Sequence, residues 1–463
     1  MHRKSCLAGW AFATVTALSA GASAEPDADQ IDRRAHRLNL DLPVLSLREN
    51  VGLGYFPSMW QSLAATKSVT YLTHAAVLEL FQLTSDMGWS PTAIDIMDST
   101  VLAIFDLVAL GRLPLSFIWL HEEWHRAVMS RRDIDSYNGI YDFNLGLDGL
   151  VPVRRVTDED LIRLKASYPA EMVRLSSAGM EAQVAFHTEL DKDRFFRRTD
   201  ARVTGTEILS TLFLIQGLLD PAYRSDSITA GAIAEEGPRI EDRDFTGLDA
   251  TAWVYDLFRP EEPYEARGPY PSGLGIDRYR SERNMTKEEI GYLRRQGFFS
   301  LVNLINPAFM GLHEFEIDRG EGQAPWRWSF NFQHVPAPFG VMFQLNGFLD
   351  TGVHSWFLQT QLNSSDQLTL PGLALSLVRE PLPLLEGATL TGTLQAWLQP
   401  REQLFFASAA RPGAGLVLRA NVPLGAGVEA YVEARAKTSG WVIGDPILQR
   451  NVDAHVGFQT LLF

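Results

Sequence analysis

The apolar residues of this chain change period part-way along. From about Ser62 to Gly311 they recur at helical spacing, whereas from about Trp326 to Phe463 they alternate. A 3.6-residue period and a 2-residue period cannot belong to one kind of element. The chain is therefore expected to be an α+β multidomain protein: a mainly helical N-terminal domain over residues 62–317, then an antiparallel up-and-down β-barrel over 326–463. The polar stretch 318–325, with its Gly and Pro, reads as the linker. Helices are expected over Val69–Met87, Pro91–Leu110, Pro114–Arg131, Thr157–Ala166, Pro169–Asp191, Thr204–Leu219 and Thr286–Ile305. Thr286 with Glu289 forms a capping-box pattern, and Pro91, Pro114 and Pro169 fit first helical turns. Val101–Leu120 is apolar enough to suggest a span, but Asp106, Arg112 and Pro114 break it into two helices joined by a bend. Between 220 and 283 the period fades into acidic, Pro- and Gly-bearing sequence, expected to be a long surface excursion of the kind used as a lid or docking element.

The second half contains eight to ten strand-like runs, enough to close a small barrel. In one of them Val428, Ala430, Val432, Ala434 and Ala436 alternate with Glu429, Tyr431, Glu433, Arg435 and Lys437. Alternation does not say which face meets water, so the rest of the chain must decide. Residues 1–24 have the three regions of a secretory signal: basic Arg3 and Lys4, an apolar stretch from Leu7 to Ala20, and a small-residue site at Ala22-Ser23-Ala24. Residues 25–61 form an N-terminal extension. The only cysteine, Cys6, falls within the signal, so neither a disulfide nor a cysteine nucleophile is expected in the mature chain. Trp326, Trp356, Trp397 and Trp441 stand at strand ends as interfacial girdles do, and the sequence stops on Phe463. This half resembles bacterial outer-membrane β-barrel proteins. The resemblance implies an apolar face turned to outer-membrane lipid, with Arg419, Glu429, Glu433, Arg435, Lys437 and Asp453 inside, and location in the outer membrane of a Gram-negative bacterium. On this reading Leu461 shares the face of Phe463, with Gln459 and His455, so the last strand needs a bulge or an early end to its lipid contact.

Across 463 residues, 56 acidic side chains outnumber 41 basic ones, a net charge of −15. Phosphate contacts need clustered Lys and Arg, so no nucleic acid is expected as a partner.

The sharpest chemical motif is His121-Glu122-Glu123-Trp124-His125. On a helix the two histidines lie one turn apart on one face, where both imidazoles reach a single metal ion, and Glu122 projects beside them as a general base. The motif resembles the HExxH zincin metallopeptidases, although Glu123 and Arg126 stand where their extended pattern prefers uncharged residues. The resemblance implies Zn2+ as cofactor, a metal-assisted hydrolysis with Glu122 as catalytic base, and a third protein ligand. Glu181 is the candidate, because Ser177, Ala178 and Ala185 share its face and let that helix approach closely, an arrangement similar to the gluzincins. The rival role for Glu181 is to pair with Arg126 or Arg174. His187, Asp133 and Asp135 are weaker candidates, and His74 reads as a core or supporting histidine. A second Glu-x-x-His, needed for a di-iron site, does not occur, nor do further histidine boxes, a G-x-S-x-G elbow or a P-loop.

The function expected is an exported zinc metallohydrolase with a protein or peptide substrate, tethered to the outer membrane by its barrel. Alternatives are an outer-membrane lipid or lipopolysaccharide hydrolase and a non-catalytic barrel with a helical plug.

Overall fold

The computed structural model describes residues 38–52, 57–81, 91–109, 111, 113–142, 152–199, 201–236 and 239–462. The expected signal, Cys6 and the terminal Phe463 lie outside the described residues.

The helices are α1 (Met59–Phe81), α2 (Pro91–Val108), α3 (Phe117–Ser130), α4 (Asp158–Ser167), α5 (Pro169–Arg197), α6 (Thr204–Glu235), α7 (Asp249–Phe258) and α8 (Lys287–Phe299). Their starts follow local chemistry. The Ser116 hydroxyl accepts the Trp119 N–H at the start of α3, and Thr286 with Glu289 closes the capping box of α8. The break between α2 and α3 falls where the charges and Pro114 put it. The expected excursion over 220–283 is corrected: α6 runs through Pro221 to Glu235, and α7 lies inside the region. Burial explains the miss. Ala222 and the α7 residues Trp253, Val254 and Leu257 belong to one apolar core with Leu214, Leu218 and Leu293, and this packing overrides the local breakers.

Ten strands form one antiparallel sheet: β1 (Leu38–Ser46), β4 (Phe315–Ile317), β5 (Trp326–Ala337), β6 (Gly340–Asp350), β7 (Ser355–Ser364), β8 (Thr369–Pro381), β9 (Thr389–Pro400), β10 (Ala410–Gly425), β11 (Val428–Lys437) and β12 (Asn451–Leu462). A separate two-stranded ribbon pairs β2 (Tyr137–Asn138) with β3 (Val153–Arg154). From β4 to β12 the order is strictly up-and-down, and β1, from the N-terminal extension, adds beside β12. The presumed linker 318–325 is the loop of the β4–β5 hairpin.

The sheet is not closed into a barrel, because among the described residues its edges β1 and β4 do not pair. Helical segments instead take backbone groups of β1 and, at the other end, of β5 beside the short edge strand β4. Along β1, Ser68 of α1 accepts the Asp41 N–H (2.8 Å) and donates to the Asp41 carbonyl (2.9 Å), and Gln61 donates to the Val44 carbonyl (3.3 Å). Beyond β4, the Phe332 N–H of β5 donates to the Ile305 carbonyl (3.0 Å), and Asn303 bonds both backbone groups of His334. A strand whose polar groups are satisfied this way has no call on a further strand.

Helix α5 is buried nearly throughout and is gripped by strands from both ends of the sheet. Asp193 accepts from Asn39 of β1 (2.8 Å) and Arg197 donates to Gln459 of β12 (2.9 Å). On the other side Asp191 accepts from Asn331 of β5 (2.5 Å), and Phe195 packs on Phe348 of β6. One helix can touch both groups only if the sheet curls around it. The face it meets is polar: Asn331, Gln333, Asn346, Glu433, Asp453 and Gln459 are buried there. The opposite face is apolar and exposed, with Leu362, Leu394, Val432, Val452 and Phe458 among its residues. The charges expected inside are paired, Glu433 with Arg435, Glu429 with Arg379 and Asp453 with His455. On β12 the outward residues are Val452, Val456 and Phe458, while His455 and Gln459 point inward. Two of the presumed girdle tryptophans are corrected: Trp397 and Trp441 are buried, the first with its indole where Cβ atoms on Gly413 and Gly440 would be, the second donating to Glu181.

Candidate metal centre

Helix α3 holds the motif in the core. His121 and His125 are both buried, with ring centroids 4.9 Å apart. Glu123 and Arg126, the two charges foreign to the extended zincin pattern, pair with each other (2.8 Å), and Glu123 also accepts from Asn138 (2.9 Å) and Tyr141 (3.1 Å). They anchor the ribbon that follows α3 and leave the other side of the helix to His121 and His125.

The third group at the histidines is Asp249, the first residue of α7. Its Oδ2 lies 2.8 Å from His121 Nε2 and 3.2 Å from His125 Nε2. Gly247, at φ 80, turns the chain into α7, with the Tyr279 ring occupying the place of a Cβ there. Asp249 then sits at a helix N-terminus, where the exposed N–H groups favour an anion.

These three residues fit a zinc ion. Tetrahedral ligands about 2.0–2.1 Å from zinc stand about 3.3 Å from one another, so the two Asp249–histidine separations, 2.8 and 3.2 Å, need at most about half an ångström of adjustment, and all the ligand atoms lie within 4.8 Å of one another. His125 bonds the Leu175 carbonyl through Nδ1 (2.5 Å), which turns its Nε2 toward Asp249 Oδ2. The His121 ring lies on Gly179 of α5, where a Cβ would come within 2.3 Å of it. Charge points the same way. Burial and the carboxylates of Asp249 and Asp244 hold the Glu122 pKa well above the usual carboxylate range. Burial, with Asp249 and Glu236 nearby, pushes Asp244 up to about 7. Burial opposes ionisation of Asp249 too, but the two histidines outweigh it and hold its pKa below the ordinary value. Such crowding of acids about two imidazoles is relieved by a dication.

Glu122 is half-buried beside this group and, among the described residues, its carboxylate has no hydrogen-bond partner. Phe213 of α6 forms the apolar rim, its ring 6.0 Å from that of His121 and 36% of its surface exposed.

Glu181, the ligand expected from sequence, is not brought to the histidines. Its carboxylate takes the Arg174 guanidinium (2.9 Å), the Trp441 indole N–H (3.1 Å) and the Gly444 N–H (3.0 Å). Those three donors neutralise it and tie α5 to the loop before β12. The small face did mark the close approach of α5 to α3, but the residue it served is Gly179. Asp249 was missed because it lies within the acidic stretch read as a surface excursion, where one Asp among many carries no pattern.

The remaining candidates are structural. His187 joins Asp191 and Glu207 in a buried group, but Arg194 bridges the two carboxylates and supplies the cation there. His74 pairs with Asp106 (3.0 Å) and lies 3.2 Å from Thr206 Oγ1, joining α1, α2 and α6. Asp133 and Asp135 follow the end of α3 and take no part in the His121 group. Compared with known proteins, the chain matches no family model, no curated protein and no solved structure.

Proposed function

We propose that this chain is an exported zinc-dependent hydrolase acting on peptide bonds, held in the outer membrane of a Gram-negative bacterium by its ten-stranded sheet. The observation that carries the hydrolase reading is the convergence of His121, His125 and Asp249 beside an unpartnered Glu122. Zinc, when bound, supplies a Lewis acid that acidifies water and polarises the scissile carbonyl. His121, His125 and Asp249 would hold it. Glu122 would accept the proton of the attacking water and pass it to the leaving amine, a role suited to an unpartnered carboxylate whose pKa burial raises above the ordinary range. The Leu175 carbonyl keeps the His125 ring in the required tautomer.

The membrane reading is supported by the sheet being polar on its buried face and apolar on its exposed one, the reverse of a soluble barrel. A closed barrel would require strand pairing beyond the described residues; the ten-stranded curl filled by α5 suffices for the anchor. The exposed rim at Phe213 favours a second reading, hydrolysis of an ester or amide in outer-membrane lipid or lipopolysaccharide. The acidic net charge gives no support to a nucleic-acid partner.

The test is Glu122→Gln in the full chain, purified in detergent without chelators. We expect about one zinc per chain in both forms, with hydrolysis of a mixed peptide library, or of labelled outer-membrane lipid on the second reading, reduced about 10²–10⁴-fold in the variant. Zinc far below stoichiometry in the wild type, or undiminished turnover in the variant, overturns the hydrolase reading.

A further inference from the structure

Helix α2 is inside-out for a helix in water, and α1 shares part of that arrangement. By spacing, Asp98, Leu102 and Asp106 share one face of α2, and that face is turned inward. Leu102 is fully buried, Asp98 pairs with Arg202 (3.2 Å), and Asp106 bonds His74 and Thr206. The outer face carries Met97, Ile104, Leu107 and Val108, all exposed. In α1 Lys67, on Asp193 at 2.9 Å, and His74 are buried beside Trp60, Tyr71 and Val77, while Leu72 and Leu80 are exposed. A helix at a water-facing surface shows the opposite arrangement.

This wall continues the sheet. Helix α1 takes the backbone groups of β1, whose outward residues Leu42 and Val44 are exposed, so it stands as the next stave beyond that edge. At the other edge Ile305 takes the next place beside β5, and the outward residues around it are Phe298, Leu301 and Met310. The gap between the strand edges is thus flanked on both sides by helical segments that repeat the sheet's own division, polar within and apolar without. A protein partner covers a bounded patch with a polar rim; a band continuous with the outside of the sheet on both flanks calls for a surrounding apolar phase. No helix among the described residues is long and apolar enough to cross a membrane alone, and the inward Asp98 and Asp106 of α2 are already paired.

We infer that the outer faces of α1 and α2 contact the acyl chains of the bilayer, as the outside of the sheet does, which sets the candidate metal centre behind a membrane-embedded wall and not in an aqueous domain tethered to a barrel. Helix α3 begins directly behind this wall, where the Thr66 hydroxyl of α1 donates to the Ser116 carbonyl (3.5 Å). The inference rests on the membrane placement proposed above and goes beyond it in assigning the helices to lipid.

The test uses the full chain with Cys6→Ser and single cysteines at exposed positions: Leu107→Cys on α2, Val432→Cys on the outside of the sheet, and Arg239→Cys on a water-facing loop. Each carries a bimane label and is reconstituted into phosphatidylcholine–phosphatidylglycerol vesicles with brominated acyl chains. Retained zinc marks the folded fraction. The expected result is quenching at 107 comparable to that at 432 and at least threefold greater than at 239. Strong quenching at 432 with 107 at the level of 239 overturns the inference and leaves the sheet in the membrane; if iodide also fails to reach 107, a protein covers the helix. Weak quenching at both 107 and 432 overturns the membrane placement, and this inference with it.

Discussion

At Gly179 the metal centre depends on the absence of a single atom. The residue sits in mid-helix, where glycine lowers helix stability by about 1 kcal/mol relative to alanine, yet a Cβ there would overlap the His121 ring at 2.3–2.5 Å. Gly179→Ala is expected to displace that ring and lower zinc affinity at least about tenfold, as loss of a supporting contact does, with the circular dichroism spectrum of the fold retained. Competition with a calibrated chelator measures it; unchanged affinity would show that the ring has room to spare. A second residue-scale effect concerns Glu49, whose carboxylate accepts the Met59 N–H (3.0 Å). Burial, reinforced by Asp445 and Asp453, raises its pKa from 4.5 to about 8. Between those values the folded chain holds a proton that the unfolded chain has released, so stability falls as pH rises through that window. Glu49→Gln keeps an acceptor for Met59 and removes the titration. It is expected to exceed the wild type by about 1–3 kcal/mol at pH 9 and to match it at pH 4, as read from urea midpoints. Equal curves at both pH values would refute a raised Glu49.

The elements divide into those that carry their own signal and those imposed by packing. The run Val428–Lys437 was legible to the residue as β11, because it has one polar and one apolar face and a turn at either end. So were α4 and the start of α8, which are capped by Thr157 and Thr286. Strand β1 was not, since its partner β12 lies more than 400 residues along the chain and nothing local announces the pairing. Nor was α7, a ten-residue helix whose burial, not its period, keeps it folded. That omission explains the choice of third ligand: with α7 unseen, α5 was the only later helix with a suitable acid on a small-residue face. The two helices make opposite predictions. Asp249→Asn, at the half-buried start of α7, is expected to lose most bound zinc while the folded spectrum is retained. Glu181→Gln leaves Arg174 buried without its carboxylate, and is expected to destabilise the chain by about 3–5 kcal/mol while its folded fraction keeps zinc. Metal analysis of the two variants decides; loss of zinc in Glu181→Gln alone would restore the ligand read from the sequence.

At the scale of the molecule, a break in period read as a boundary between domains instead separates two parts of one structure. The helices fill the curl of the sheet, cap its edges and share its apolar core, where α7 Trp253 donates to the Ala337 carbonyl of β5 (3.1 Å). What periodicity cannot supply is which way a face points, since a soluble barrel and a membrane barrel alternate alike. The decision comes from what fills the inside. A helix as polar as α5, with Asp191, Asp193, Arg194 and Arg197 bonded within it or to the strands, draws the Asn, Gln and charged faces inward and leaves Leu and Val outside. Val432 tests this directly, being 55% exposed between the inward-facing Tyr431 and Glu433. In a bilayer, Val432→Arg places a charge against acyl chains and is expected to lower stability by about 2–4 kcal/mol if it lies near mid-depth, whereas on a water-facing strand such a change falls within about 0.5 kcal/mol. Urea unfolding from phospholipid vesicles separates the two. A Val432→Arg variant as stable as the wild type would mean that the apolar outside of the sheet meets something other than lipid.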